Sequence, residues 1–233
     1  MHIQDELMSI VNPAANRMRV LIVDDHPMTR AGLVYVINHQ PDLVVCAEAE
    51  NAADALDAVD ACEPDLVLAD ITLPGKSGLE LIKDIKAIRP DLPILVISMH
   101  DESLYAERVL RAGARGYITK HEGGKKVMQA IRLVLGGQIY LSEKMSANIL
   151  ETFSGGRAAS VRSLIAQLSD REFELFELLG EGLSTREIAE RLHLSTKTVD
   201  AHRANIKAKL VIKTTSELIS YAARWTDHRA NRK

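Results

Sequence analysis

The chain predicts two domains in series. The first is a doubly wound α/β domain with a five-stranded parallel sheet, and the second is an all-α unit of four short helices. Three observations carry this prediction. Residues 19–23, 43–49, 66–70, 94–98 and 116–119 are short aliphatic or β-branched runs separated by helix-patterned stretches, the habit of strands buried on both faces of a parallel sheet. Asp24-Asp25, Asp70 and Lys120 stand at the ends of three of those runs. Beyond residue 160 the strand pattern stops, and Ser169-Asp170-Arg171-Glu172 and Ser184-Thr185-Arg186-Glu187 each carry a capping box, in which serine and glutamate satisfy orphan N–H groups at a helix start.

Taken in order, helices are expected at 26–39, 52–62, 79–88, 104–112 and 124–135, one after each strand. The third shows its period in Leu79, Ile82, Ile85 and Ile88, with Lys83, Asp84 and Lys86 between them. Pro41, Pro64, Pro90 and Pro93 punctuate the approaches to strands. Five βα units joined by right-handed crossovers leave few topologies open. A further amphipathic helix is expected over 142–153, followed by the small-residue linker Ser154-Gly155-Gly156-Arg157-Ala158-Ala159-Ser160. In the second domain Gly180 and Gly182 close the first helix, Leu192-His193-Leu194 is a tight turn, Ser195 opens a helix to about Leu210, and 214–225 forms the last. The expected division is an extension at 1–18, an α/β domain at 19–141, a connecting helix and linker at 142–166, a helical domain at 167–226 and a tail without fixed structure at 227–233.

At 233 residues, 46% hydrophobic and 26% charged, the composition is that of an ordinary globular chain with room for two cores. No run approaches the roughly 18 apolar residues of a membrane span. The first 18 residues carry Asp5 and Glu6 and have no basic start, unlike a signal peptide. The expectation is a cytoplasmic protein with no membrane partner. Cys46 and Cys62 are expected as buried free thiols rather than a disulfide or metal site. The net charge of −3 hides an asymmetry: residues 1–141 balance to −6, residues 142–233 to +3, and the last 39 alone to +6. An acidic front and a basic rear suit different partners, nucleic acid for the rear.

Ligands of such sheets bind beyond the carboxyl ends of the strands. Three carboxylates and an ammonium therefore converge at one edge. Like charges that close repel, which invites a divalent cation, most simply Mg2+ on hard oxygen ligands, and with it phosphoryl transfer. Each residue alone has a plainer reading: Asp24-Asp25 as a helix cap, Lys120 as a surface lysine, Ser98 as a loop hydroxyl, Tyr117 as core. Their order at successive strand ends outweighs these.

On these residues, with Asp70 set in Leu68-Ala69-Asp70-Ile71-Thr72-Leu73-Pro74-Gly75, the front half resembles a two-component receiver domain of flavodoxin-like fold. The resemblance implies that Asp70 accepts a phosphoryl group from a cognate histidine kinase. It also implies that Asp25, Asp70 and the backbone carbonyl of Thr72 ligate Mg2+, with Asp24 orienting a metal-bound water. Lys120 neutralises charge, and Ser98 and Tyr117 act as a switch, the serine hydroxyl moving to the phosphate and the tyrosine rotating inward. Two positions depart from the family pattern: His121 follows Lys120 where proline is common, and Met99 follows Ser98 where a small residue is common and is expected to slow phosphate loss.

The segments 168–172, 182–192 and 195–210 resemble the LuxR-type helix-turn-helix, and with the receiver they make a response regulator of the NarL/FixJ kind. At about 100° per residue Val199, Ile206 and Leu210 share the core face of the recognition helix. Lys197, Ala201, Ala204 and Ala208 lie opposite, flanked by Asp200, Asn205 and Lys207. Candidate DNA contacts are Lys197, Thr198, Asp200, Ala201, Arg203, Ala204, Lys207 and Lys209, the alanines permitting close approach and the cations reaching phosphates or guanine edges. Asp200 stands where relatives often carry a base. Leu218, Ile219, Ala222 and Trp225 form a stripe on the last helix, read as core or as dimer contact.

The expectation is a DNA-binding transcriptional regulator that acts on promoter sites as a homodimer once phosphorylated, with no enzymatic activity beyond slow self-dephosphorylation. In the unphosphorylated state the receiver is expected to hide or misorient the recognition helix. One alternative is an aspartyl-nucleophile phosphatase, disfavoured because Thr72 stands where such enzymes carry a second aspartate. Another is a regulator that binds DNA without phosphate control, its receiver serving as a dimerisation module.

Overall fold

The computed structural model describes residues 17–100, 102–143, 145–147, 164–165 and 167–230. The 154–160 linker and most of the 142–153 helix lie outside them. Strands β1 (Met18–Val23), β2 (Leu43–Ala49), β3 (Leu66–Ala69), β4 (Ile94–Ser98) and β5 (Gly116–Thr119) form one parallel sheet in the order β2-β1-β3-β4-β5. β1 starts at Met18, inside the stretch expected to be an extension, and β3 ends at Ala69, leaving Asp70 just past the strand. Side chains alternate faces along each strand. Val20, Ile22, Leu68 and Ile97 pack with Leu33 and Ile37 of α1 (Pro27–Asn38) and with Val127 and Ile131 of α5 (Gly124–Leu135). Leu21, Val23, Val67 and Val96 pack on the other face with α2 (Ala52–Cys62), α3 (Gly78–Ile88) and α4 (Glu102–Ala112). From β1 the chain winds outward to β2 and then crosses back to β3, so the β1/β3 boundary is the switch point where doubly wound sheets place their sites.

On α3, Leu79, Ile82 and Ile85 are buried, but Ile88 is 51% exposed. A strict three-residue spacing rotates by about −60° per step, so the fourth member arrives on the opposite side; Leu81 completes the buried stripe instead. Past α5 the chain returns along β5. The Tyr117 amide donates to the Tyr140 carbonyl and the Tyr140 amide to the Arg115 carbonyl, each at 3.0 Å, which covers the edge strand.

The second unit contains α6 (Asp170–Gly180), α7 (Thr185–Arg191), α8 (Thr196–Leu210) and α9 (Thr215–Ala230). Both capping boxes form, from Ser169 with Glu172 and Ser184 with Glu187. Gly180 is required where α6 crosses α9, because a Cβ there would meet the Ala222 carbonyl oxygen at 2.8 Å. The last helix continues past residue 226, so part of the expected tail is helical. Among its stripe residues Leu218 and Ala222 are fully buried and Trp225 lies edge-on to Phe173 and Phe176, whereas Ile219 is 40% exposed. Among the described residues no helix is long and apolar enough to cross a membrane.

Candidate functional site

The pocket forms at the switch point because a charged residue follows directly on each of β1, β3 and β5 there. Lys120, whose amide is held by the Ser98 carbonyl at 2.8 Å, places its Nζ 2.7 Å from both Asp24 Oδ2 and Asp70 Oδ2. Asp24 Oδ1 accepts from the His26 amide at 2.9 Å, but His26 is itself the N-cap of α1 and carries no side-chain cap bond, so this contact holds the turn before the helix and is not the helix cap read from the sequence. Asp70 Oδ1 accepts from the Ile71 amide at 2.6 Å and, more weakly, from the Thr72 amide at 3.3 Å. Gly78 closes the loop after Asp70: its amide donates to the Ile71 carbonyl at 2.7 Å, and a Cβ there would lie 2.0 Å from the Asp70 carbonyl oxygen. Any other residue at the start of α3 would push this loop away.

Burial raises the Asp70 pKa, Lys120 opposes that rise, and Asp24 adds to it. For Lys120 burial alone would lower the pKa, but Asp70 and Asp24 outweigh it and hold the ammonium above its usual range. The two partners therefore favour a charged lysine between two acids. Asp24, Asp25, His26 and Asp70 each bring a ligand atom within 4.8 Å of the others. Three carboxylates fit a hard cation. His26, whose Nδ1 lies 2.6 Å from Asp25 Oδ1, adds a nitrogen that such a cation does not prefer. The site reading of the sequence had left His26 out, although its place beside the Asp-Asp pair was the available signal.

Ser98 is buried, and its Oγ accepts from the His100 amide at 3.3 Å. Tyr117 does not wait at the edge. It is fully buried and already inward, its hydroxyl donating to the His100 carbonyl at 2.8 Å. Burial raises its pKa far above the ordinary phenol value, against a smaller lowering by the Ser98 hydroxyl. The inward position follows from the company it keeps, since His100 also touches Thr72 Oγ1 through Nε2 at 3.0 Å and stacks on Tyr105.

His100 leads out of the receiver. Its Nδ1 lies 3.9 Å from Glu177 on α6, and Tyr105 packs edge-on against Phe173 of the same helix. Arg108 of α4 spans the seam. It donates to the carbonyls of Leu168 at 2.9 Å and Ile165 at 2.8 Å, pairs with Asp170 at 3.2 Å, and stacks over the Phe173 ring at 4.2 Å. From the other side, Arg171 donates to the Gly75 carbonyl, in the loop after Asp70, at 3.0 Å and pairs with Glu174 at 2.6 Å. Residues 171–179 are all buried, Glu174 and Glu177 included. None of this seam was read from the sequence, where each residue looks like part of an ordinary charged helix face.

On α8 the core face is as expected: Val199 and Ile206 are fully buried and Leu210 nearly so. Lys197, Asp200, Ala201, Ala204, Asn205 and Ala208 are exposed together, and Thr198 and Lys207 are half-exposed. Two candidates are committed elsewhere. Lys209 Nζ bonds Glu172 Oε2 of α6 at 2.5 Å, and Arg203 is tied to the Thr185 hydroxyl and, at 3.4 Å, to Asp200. The docked receiver does not cover the outward face of α8; what it buries is α6. Of the two expected modes of restraint, hiding or misorienting the recognition helix, the exposure of α8 in this conformation speaks against hiding.

A receiver pocket joined to an exposed helix-turn-helix face defines a two-component response regulator with a DNA-binding effector domain. Residues 20–132 match the response regulator receiver domain, and residues 166–222 match the bacterial regulatory proteins of the luxR family. The chain belongs to the NarL/FixJ family of response regulators. It is 36% identical over 209 residues to the oxygen regulatory protein NreC of Staphylococcus carnosus, covering 88% of this chain and 96% of that one. A LuxR-family two-component response regulator from Aurantimonas sp. SI85-9A1 matches 59% of this chain and 99% of its own, at 35% identity and a TM-score of 0.56. RcsB of Salmonella enterica serovar Typhimurium, bound to a promoter in the presence of phosphomimetic BeF3-, matches 90% of this chain and 100% of its own, at 25% identity and a TM-score of 0.60.

Proposed function

We propose that this response regulator is switched by phosphorylation of Asp70 and then acts at promoter DNA as a homodimer. The observation that carries the reading is Lys120, held 2.7 Å from Asp24 and Asp70 at the ends of β5, β1 and β3. A carboxylate attacks phosphorus poorly while both are anionic. The ammonium offsets that repulsion in place, without reorganising at the moment of transfer. In this reading Asp25, Asp70 and the Thr72 carbonyl hold Mg2+, with Asp24 orienting its water. The ion, when bound, screens the negative charge of the incoming phosphoryl group. The cognate histidine kinase is the donor in a cytoplasmic setting, the receiver occupies 19–141 and the DNA-binding domain 167–226. The promoter-bound structure of RcsB supports the DNA assignment. Of the candidate contacts, Lys197, Thr198, Asp200, Ala201, Ala204 and Lys207 remain, with Asn205 added by its exposure. Turnover is confined to slow self-dephosphorylation. Met99 is 57% exposed, so most of it meets water, which weakens the idea that it shields Asp70.

Asp70→Asn tests the acceptor. Labelled acetyl phosphate with Mg2+ is expected to mark the wild-type chain and leave the variant unmarked, with circular dichroism confirming that it is folded. Equal labelling of both would remove Asp70 from its role.

A further inference from the structure

The two cysteines expected as buried free thiols are in contact: Cys46 Sγ and Cys62 Sγ lie 2.8 Å apart. They are the only cysteines in the chain. Cys62 is the last residue of α2, and Glu63, at φ 40°, turns the chain away immediately after it. Cys46 sits in β2, the sheet's outer strand, at a break in register: Val20 faces Val45, yet Leu21 faces Ala47. Cys46 is thus the extra residue of a β-bulge, left out of the ladder. The bulge shows in the packing too. Val45 rests on the α1/α5 side, whereas the consecutive Cys46 and Ala47 both pack toward α2. A disulfide requires the sulfurs at about 2.05 Å, less than an ångström closer, and the unpaired Cys46 is the backbone position freest to supply that movement.

We propose that Cys46 and Cys62 form a redox-modifiable thiol pair, which closes into an intramolecular disulfide by exchange with a low-molecular-weight disulfide. Cys46 is the half-buried member and Cys62 is 8% exposed, so the reagent enters at Cys46. The Cys46 thiolate attacks one sulfur of the reagent, breaking its S–S bond and releasing the first thiol. The Cys62 sulfur then attacks Cys46 in the mixed disulfide and releases the second. One reagent disulfide is reduced to two thiols, which carry away both cysteine protons, and the pair is oxidised by two electrons. Burial, reinforced by Cys62, pushes the Cys46 thiol up to about 12. The entry step is therefore slow at neutral pH and gains about tenfold per pH unit as the thiolate fraction grows. A pair of this kind ignores a brief oxidant pulse and closes under a sustained one, stapling the outer strand to α2.

The test is incubation of the full-length chain with glutathione disulfide at several pH values, followed by acid quenching, alkylation and intact-mass analysis with peptide mapping. The expected product is a monomer lighter by two hydrogens, resistant to alkylation, with a peptide joining Cys46 to Cys62. Its formation accelerates with pH, its melting temperature is raised, and dithiothreitol reverses both changes. Cys62→Ser is expected to stop at a glutathione adduct on Cys46, and Cys46→Ser to resist modification. A native chain that keeps two alkylatable thiols, stops at a stable adduct, or links to a second copy overturns the proposal. So does a Cys46→Ser variant modified as fast as the wild type.

Discussion

The acid pocket and the outward face of α8 use similar residues on opposite electrostatic terms. In the pocket Asp24, Asp70 and Lys120 are at most 5% exposed and answer one another at 2.7 Å. In that low-dielectric setting each charge depends on its partner, and losing one leaves a buried charge uncompensated at a cost of about 3–5 kcal/mol. On α8, Lys197 and Asp200 face water. There salt screens each charge, and its effect is realised only against the phosphates of a duplex. One region is satisfied within the fold and is switched by adding charge; the other is unsatisfied by design and waits for a partner. Between them lies the α6 seam, which borrows the pocket's burial and belongs to the DNA-binding domain.

The seam gives the largest effect by which to sharpen this contrast. Burial, opposed by Arg171 and aided by Glu80 and Asp70, raises Glu174 from 4.5 to about 7. Because its folded pKa is raised, the docked chain favours the protonated acid. Its contribution is complete below pH 4.5 and is lost as pH rises through about 7. The span is worth about 3 kcal/mol at most. Thermal melts between pH 5 and 8 are expected to show the wild type losing seam stability with rising pH, and Glu174→Gln holding it. Parallel curves for the two would place Glu174 in water.

Arg108→Ala should follow in size. It removes the bonds to Leu168, Ile165 and Asp170 and the stacking on Phe173, loosening docking by about 2 kcal/mol. Small-angle scattering is expected to report a more extended chain, while acetyl phosphate labelling of Asp70 persists. An unchanged scattering profile would show that the seam does not depend on this arginine.

Two lysines on α8 break the comparison apart more finely. Lys207→Ala should reduce the salt slope of DNA binding by about one, as expected of a phosphate contact. Lys209→Ala should leave the slope alone and lower helical-domain stability by about 1 kcal/mol, because its partner is Glu172. Binding titrations across salt concentrations separate the two, and equal slopes for both variants would undo the distinction.

The smallest effect lies at the end of α8, where Val211 adopts φ 58° and is 83% exposed. A β-branched residue is strained in that left-handed region, so Val211→Gly is expected to stabilise the domain by about 1 kcal/mol in urea melts. A destabilised variant would mean that Val211 packs against something in the working assembly.

Much of the α/β half was legible because the central strands β3 and β4 are buried throughout, so their runs are apolar almost without interruption. Three strands and two helices begin and end where the pattern placed them. The pocket was legible for a related reason: topology brings strand ends together whatever their loops do. Lys209 and Arg203, expected at DNA for their charge and reach, are engaged within the domain by Glu172 and by Thr185 and Asp200. At about 100° per residue Arg203 stands only about 40° from Val199, on the edge of the core face. Tyr117, expected to rotate inward as part of the switch, is already inward, and the pairing of its strand with the returning segment around Tyr140 has no signature in the local pattern.

By itself the amino-acid order determined the elements, the capping boxes, the acid–lysine constellation and the core stripe of α8. All of these depend on neighbours along the chain or on strand ends that must meet. Only the tertiary structure decided that α6 is buried from both sides, that Arg108 and Arg171 clasp the seam, that Tyr117 lies inward, and that Cys46 touches Cys62. Those outcomes turn on which surfaces meet across the fold. Opposing desolvation and pairing energies nearly cancel there, and no local pattern records the balance.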